Sequence, residues 1–440
     1  MAAPSKHTRR KFLRQATAGA AAAISVPYFV PARVLGAEGT TPPSDRIVMG
    51  VIGTGGMGMA NLGAFMGEPD VQMVAVCDVD DRHLPRAVEA VNAKYGNVDC
   101  KGYGDFRELL GHKDLEAVAV VTPDHWHALA SVAAAKAGKD IYCEKPLANS
   151  VGEGRAICDA VSDNDRILQC GSHERSNPSV RQACELVRNG RLGKIHTVRI
   201  NLPTDEAHHQ AAMSLTDVPP AMSVPDGFDY NFWLGHTPEV PYTEKRCHFS
   251  WRFILSYGGG EMTDRGAHII DIAQLALGMD DSGPVEYSGQ GVASSTSLFN
   301  AYFNFDFENT YANGVKMIGT SKHGPRGVGF EGDKGKLFVN IHGGALDAEP
   351  ASLLQEPIGE AELQLGRTPS HRRNFLDCVR TREQPFATAE IGHRTATICH
   401  LNNIAFKLGR PFKWDPVAEK TSDDEANSLL MPTMRKPWSV

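Results

Sequence analysis

The chain has 440 residues, 42% hydrophobic and 22% charged, which excludes a small cross-linked scaffold and a disordered polymer alike. At about 150 residues per domain, roughly two to three domains are expected. The 45 basic residues against 52 acidic ones give a net charge of −7, and no basic block follows the N-terminal segment, so nucleic acid is excluded as a partner.

Residues 1–37 carry Lys6, Arg9, Arg10, Lys11, Arg14 and Arg33 and no acid. Arg9-Arg10-Lys11-Phe12-Leu13 precedes an Ala-rich run at 16–26, and small residues follow at Gly36-Ala37. The pattern resembles a twin-arginine signal peptide, which implies export by the Tat machinery to the periplasm. Pro27, Pro31 and Arg33 interrupt any membrane span there, and no later run is apolar for long enough to supply one. The nine cysteines form an odd set without a CxxC pair. Several end apolar runs, where Cys behaves as a small buried hydrophobe, so free thiols are expected. Such thiols suit a chain that folds in the cytoplasm before crossing a membrane.

After a polar linker at 38–45, apolar runs at 47–52, 71–77, 117–121, 140–143 and 167–170 alternate with helical segments at 58–66, 82–94, 125–137 and 151–162. This βαβ spacing predicts an α/β Rossmann domain, a doubly wound parallel sheet, over 38–171. Gly53-Thr54-Gly55-Gly56-Met57-Gly58 lies between the first strand and its helix, in the GxGxxG spacing that cradles a dinucleotide pyrophosphate. Asp78 ends the next strand, where a carboxylate accepts bonds from ribose hydroxyls and repels a 2′-phosphate. The expected cofactor is NAD in preference to NADP.

Thr122-Pro123-Asp124-His125-Trp126-His127 follows the third run and Glu144-Lys145-Pro146 the fourth. A GxGxxG loop, a TPxxxH turn and an EKP tripeptide in that order resemble the Gfo/Idh/MocA oxidoreductases. The resemblance implies cofactor-cleft positions for Thr122, Pro123, His127, Glu144 and Pro146, and places Lys145 against both nicotinamide and substrate. The residues alone leave His127 as either a cleft residue or the first turn of a helix.

From 172 to 440 one helix at 179–189 is followed by strands at 195–201, 298–307, 315–319 and 336–340. Their period-two patterning predicts an α+β domain with a large, mostly antiparallel sheet. The resemblance implies that this sheet's open face makes subunit contacts, hence a homo-oligomer. Beyond a triple glycine at 258–260, Asp264, His268 and Asp271 share one face of a predicted helix. The residues alone fit a hydrogen-bonded core histidine equally well. The resemblance matches Asp264 and His268 to the family's Asp-x-x-x-His pair, which implies that His268 takes the hydroxyl proton, Asp264 orients its ring and Lys145 stabilises the alkoxide. Asp271 is left to cap or orient.

Arg175, Trp251 and Arg252 are candidate substrate contacts, since an aromatic beside cations suits a polyhydroxylated ligand. His208-His209 is set aside as a metal pair, and no metal is expected. His371-Arg372-Arg373 reads as a solvated charge run opening a helix. Three function classes follow: a nicotinamide-dependent oxidoreductase of a sugar or cyclitol, a redox-neutral glycoside-cleaving enzyme working through a transient keto-sugar, and a non-catalytic sugar-binding protein.

Overall fold

Two hydrophobic faces of one parallel sheet organise the first half of the chain. In the computed structural model, which describes residues 41–355 and 357–440, residues 41–46 belong to a unit of their own with a short turn of 3-10 helix at Pro43–Asp45. The segment read as an export signal lies outside the described residues.

The first sheet contains β1 (Ile47–Ile52), β2 (Val71–Cys77), β3 (Lys101–Tyr103), β4 (Ala117–Val120), β5 (Asp140–Cys143) and β6 (Leu168–Cys170). Its strands are parallel in the order β3-β2-β1-β4-β5-β6. Between them run α1 (Gly56–Phe65), α2 (Leu84–Tyr95), α3 (His127–Lys136) and α4 (Val151–Asp163). Successive residues face opposite layers: Ala117 and Ala119 pack with Leu62 and Phe65, whereas Val118 and Val120 pack with Leu129 and Ile157. The strand order reverses between β1 and β4, which opens a crevice at their carboxyl ends.

The second sheet joins β7 (Ile195–Asn201), β8 (Glu286–Val292), β9 (Asn304–Thr310), β10 (Lys316–Thr320), β11 (Gly327–Gly332), β12 (Gly335–Asn340), β13 (Leu346–Glu349), β14 (Phe412–Asp415) and β15 (Lys420–Thr421). Only the β7–β10 pair is parallel. One face is covered by α5 (Pro178–Arg188), α6 (Gly266–Leu277) and α8 (Ala389–Leu408), which bury Val180, Ile269 and Ile398 against Val198, Phe307 and Phe330.

Three expectations need correction. The strand expected at 298–307 begins only at Asn304, because Leu298, Phe299 and Phe303 are buried in an aromatic cluster with Trp233, Trp251 and Phe253 instead. Strands β8, β11 and β13 escaped detection because their glycines and charges dilute the apolar alternation. The charge run at His371–Arg373 opens α7 (His371–Thr381), which is docked rather than solvated. The crossover helices α3 and α4 share one face of the sheet, so the opposite face over β5 and β6 needs another cover. Phe375 of α7 fills that place, 5.9 Å from the Tyr142 ring, while Arg373 pairs with Asp70 at 2.7 Å. All nine cysteines are buried free thiols, as expected. Among the described residues no helix is long and apolar enough to cross a membrane.

Candidate active site

A cleft of about 900 Å³ runs along the carboxyl ends of β1, β2 and β4, within the range typical of small-molecule sites. The glycine loop forms its floor. Gly53 has φ +90°, and a Cβ there would stand 2.6 Å from the Val121 carbonyl oxygen. A Cβ on Gly58 would lie 2.0 Å from the Gly53 oxygen, so the first turn of α1 closes directly on the loop. Gly55 and Gly56 have nothing within 4 Å of such a Cβ, and α1 starts with no side-chain cap. Free N–H groups facing open space fit a pyrophosphate. Thr54 is buried and ties this loop to the end of β2, its N–H and hydroxyl donating to Asp78 Oδ2 at 2.7 and 2.9 Å. Asp78 also accepts from the Asp80 N–H at 3.0 Å. It therefore braces the loop as well as facing the cleft, which it lines together with Met57.

The turns after β4 and β5 form the next stretch of wall. Thr122, Pro123 and His127 line the cleft together with Glu144 and Lys145. His127 resolves its two readings by serving both: it starts α3, and its ring bridges the carbonyls of Pro146 at 2.7 Å and Thr122 at 3.0 Å. It thereby fixes one turn against the other. Glu144 accepts from Asn61 at 2.9 Å, and Asn61 in turn accepts from Arg372 of α7 at 2.9 Å. Lys145 projects across the cleft and donates to the Asp264 carbonyl at 2.7 Å and to its carboxylate at 2.8 Å.

This ion pair corrects one assigned role. Asp264 holds the lysine, and no hydrogen bond joins it to His268. The reason is local: the expected continuous helix breaks at Arg265 between a short helix, Glu261–Asp264, and α6, which starts at Gly266. Burial alone would lower the Lys145 pKa, but the Asp264 carboxylate outweighs it and holds the ammonium above its usual value. Burial opposes the Asp264 charge as well, and Lys145 and Arg252 overcome it, so that carboxylate stays ionised far into acid. His268 is buried, and burial together with Lys145 holds it well below an ordinary histidine, hence neutral at pH 7. Its Nδ1 is buried without a hydrogen-bond partner among the described residues.

Of the substrate candidates, Trp251 and Arg252 line the cleft, with the guanidinium 4.5 Å over the Trp251 ring and Arg252 Nε 3.7 Å from Asp264. Arg175 does not. It is 1% exposed and forms ion pairs with Asp271 and Asp280, each at 2.7 Å. A guanidinium so matched is a packing element, and the pair gives Asp271 its orienting role.

Two family models match the chain: the Gfo/Idh/MocA oxidoreductase family's NAD-binding Rossmann fold over residues 47–172 and its C-terminal alpha/beta domain over 176–440. The chain belongs to the Gfo/Idh/MocA oxidoreductase family. It is 26% identical to levoglucosan dehydrogenase of Pseudarthrobacter phenanthrenivorans over 69% of this chain and 67% of that one. It is also 32% identical to inositol 2-dehydrogenase of Rhizobium meliloti, over 34% of this chain and 43% of that one. The matched part thus spans about two thirds or less of these relatives. Among solved structures, aldose-aldose oxidoreductase of Caulobacter crescentus superposes with a TM-score of 0.60 at 19% identity, covering 84% of this chain and 99% of that one. The WlbA dehydrogenase of Bordetella pertussis, in complex with NADH and UDP-GlcNAcA, gives 0.62 at 16% identity, covering 84% and 99%. Both likenesses concern the fold.

Several cleft residues of this family member escaped the sequence reading. Asp124 lies inside the TPxxxH turn, buried, and burial drives its carboxyl well above the usual range despite Lys145. His173 stands two residues before Arg175, and it is His173 that faces the cleft. His342 comes from the turn after β12, where no motif marks it. The long segment at 201–250 supplies a second wall through Phe228, Phe232, Trp233 and His248. It is joined to the loop after β2 by a bridge between Asp80 and Phe228, by Asp81 N–H to the Gly227 carbonyl at 2.8 Å and by Asp229 N–H to the Val79 carbonyl at 2.9 Å. Arg82 Nη2 meets His248 Nε2 at 2.9 Å on the same side.

Proposed function

We propose that this protein moves hydride between NAD and a secondary alcohol of a sugar or cyclitol, and that it retains its NAD between turnovers. The observation that carries this reading is the Lys145–Asp264 pair beside neutral His268, in the cleft that the glycine loop begins. Bound nicotinamide supplies the hydride acceptor. Neutral His268 takes the hydroxyl proton, and the Lys145 ammonium donates a hydrogen bond to the oxygen as negative charge develops on it. Asp264 keeps Lys145 charged and aimed, while Trp251 and Arg252 meet the ring and its hydroxyls. The names of the two relatives support a polyol substrate.

Asp78, with Asp80 and Asp81 close behind it, supports NAD over NADP, because a 2′-phosphate there would meet carboxylates. The Arg9-Arg10 segment supports periplasmic export through the Tat machinery. Outside the cytoplasm a dissociable NAD has no pool to renew it, and the strap from 227–229 to the loop after β2 supplies a means of retention. The uncovered face of the second sheet supports association with further copies of the chain.

The test is to purify the protein without added cofactor, desalt it, denature it and measure released NAD(H), then to assay inositols, hexoses and aryl glycosides. Roughly stoichiometric nicotinamide is expected, with a keto product accumulating only when a second sugar carbonyl is supplied and is itself reduced by the retained NADH. A well-folded protein that is empty and needs fresh NAD for each turnover would contradict retention. Release of an aglycone without net NADH would favour glycoside cleavage.

A further inference from the structure

Three imidazoles from distant parts of the chain converge on the substrate side of the cleft: His173 after β6, His268 on α6 and His342 in the turn after β12. One ring nitrogen from each lies within 4.8 Å of the other two. The His268 ring centroid is 4.7 Å from that of His173 and 4.8 Å from that of His342. Among the described residues, none of the three rings hydrogen-bonds a protein group, and the buried Nδ1 of His268 has no partner at all. A buried imidazole nitrogen without a partner is costly unless something satisfies it.

The surroundings hold this convergence in place. His342 has φ +69°, a left-handed conformation that a bulky residue adopts only when its surroundings impose it. The buried Glu174 imposes it by accepting the His342 N–H at 3.1 Å. The same Oε1 stands 3.9 Å from His173 Nδ1, so one buried carboxylate holds the backbone of His342 and lies beside the ring of His173. Nearby cations are already matched: Lys145 pairs with Asp264, and Arg326 with Glu206.

Two other groupings of metal-ligand type contrast with this one. In Asp80–His83–His248, Asp80 is held by Arg82 at 2.6 Å and His248 also meets Arg82. In Glu206–His208–His209, Glu206 pairs with Arg265 and His209 with Glu261. Their donor atoms are spent, whereas those of His173, His268 and His342 are free.

We propose that His173, His268 and His342 bind a divalent first-row transition metal of the zinc class, leaving one coordination position open to an oxygen of the substrate. Three neutral imidazoles are a ligand set for such an ion with an open site. With Zn–N near 2.0–2.1 Å, ligand nitrogens stand about 3.3 Å apart, so rings whose nitrogens lie within 4.8 Å close by at most about 1.5 Å. His173 and His342 are exposed enough to rotate toward the fixed His268. The site goes beyond the hydride reading: with metal bound, His268 is a ligand, the ion binds the substrate oxygen and lowers the pKa of its hydroxyl, and the proton passes to solvent water at the exposed side of His173 and His342.

The full-length protein, stripped with chelator and dialysed, is titrated with Zn²⁺ by calorimetry and with Co²⁺ by visible absorption, while NAD binding is followed in parallel. Saturation at roughly one ion per chain is expected, with d–d bands of a low-coordinate cobalt centre. His173→Ala and His342→Ala should each weaken binding on the order of tenfold or more with NAD binding intact, while His208→Ala and His248→Ala leave the metal titration unchanged. Absence of saturable binding, equal binding by His342→Ala and wild type, or loss only in His208→Ala or His248→Ala would overturn the site. The hydride reading would survive each of these outcomes, because its own test measures NAD and product.

Discussion

The two sides of the cleft are built differently. The cofactor side is local: Gly53 to Gly58 and Asp78 lie on consecutive strand ends, and their roles follow from turns a few residues long. The substrate side is assembled from afar, with Lys145, Arg252, Asp264, His268 and His342 brought together by two sheets and several connections. Local chemistry can be read from spacing, whereas assembled chemistry depends on which residues near a motif turn inward. Arg175 and His173, two positions apart in one short turn of 3-10 helix, went opposite ways.

The largest expected effect separates packing from chemistry on the assembled side. Arg175→Ala leaves the Asp271 carboxylate buried and uncompensated, and breaking such a pair costs about 3–5 kcal/mol. Urea unfolding should show that loss, while KM for the sugar in the remaining folded protein stays near wild type. A raised KM at unchanged stability would return Arg175 to the substrate site.

Lys145→Ala should lower kcat on the order of a hundredfold or more with NAD still bound, and Asp264→Asn should act in the same direction but less, since it loosens the lysine without removing it. The pH profile sharpens the roles. Burial lowers the His268 pKa, so its neutral, proton-accepting form persists below pH 6.5, and kcat/KM in metal-free protein should show no acid limb near that value. The raised Lys145 pKa keeps the ammonium charged beyond its ordinary range, so no alkaline loss is expected below about pH 10. An acid limb centred near 6.5 that disappears in His268→Ala would show an ordinary, solvated histidine.

On the local side the glycines can be told apart. Gly55→Ala has room in the folded protein but places a methyl in the phosphate space, so NAD affinity should fall on the order of tenfold at near-normal thermal stability. Gly58→Ala meets the Gly53 backbone and should cost stability as well. Equal melting losses in the two variants would mean that the loop is shaped by packing alone.

Most of the first sheet was legible because buried parallel strands are continuous apolar runs, and Ala117–Val120 needs no alternation to be recognised. The second sheet was half legible: β7 and β12 alternate, while β8 and β11 hide behind glycines. The site divides likewise. Lys145 and the glycine loop stand in motifs, but the partner of Asp264 was misjudged because a helical wheel assumes an unbroken helix, and the chain breaks at Arg265. His342 could not have been found, since its place depends on how the β12–β13 turn meets the turn after β6.

The smallest expected effect tests where the two sides meet. The strap joins a segment of the second domain to the loop carrying Asp78, and its backbone bonds survive any side-chain change. The side-chain link open to mutation is centred on His248, which meets Arg82 at 2.9 Å, Asp80 at 3.8 Å and the His83 ring at 5.5 Å between centroids. Exposed pairs contribute about 0.2–1 kcal/mol, so His248→Ala should speed NAD release by no more than roughly fivefold and leave kcat with saturating sugar unchanged. Release should be followed by trapping free NAD with a second dehydrogenase after rapid dilution. A much larger acceleration would show that the side chains, rather than the Asp81–Gly227 and Val79–Asp229 backbone bonds, close the adenosine end. No change at all, in His248→Ala or Arg82→Ala, would leave the backbone strap as the whole of the retention device.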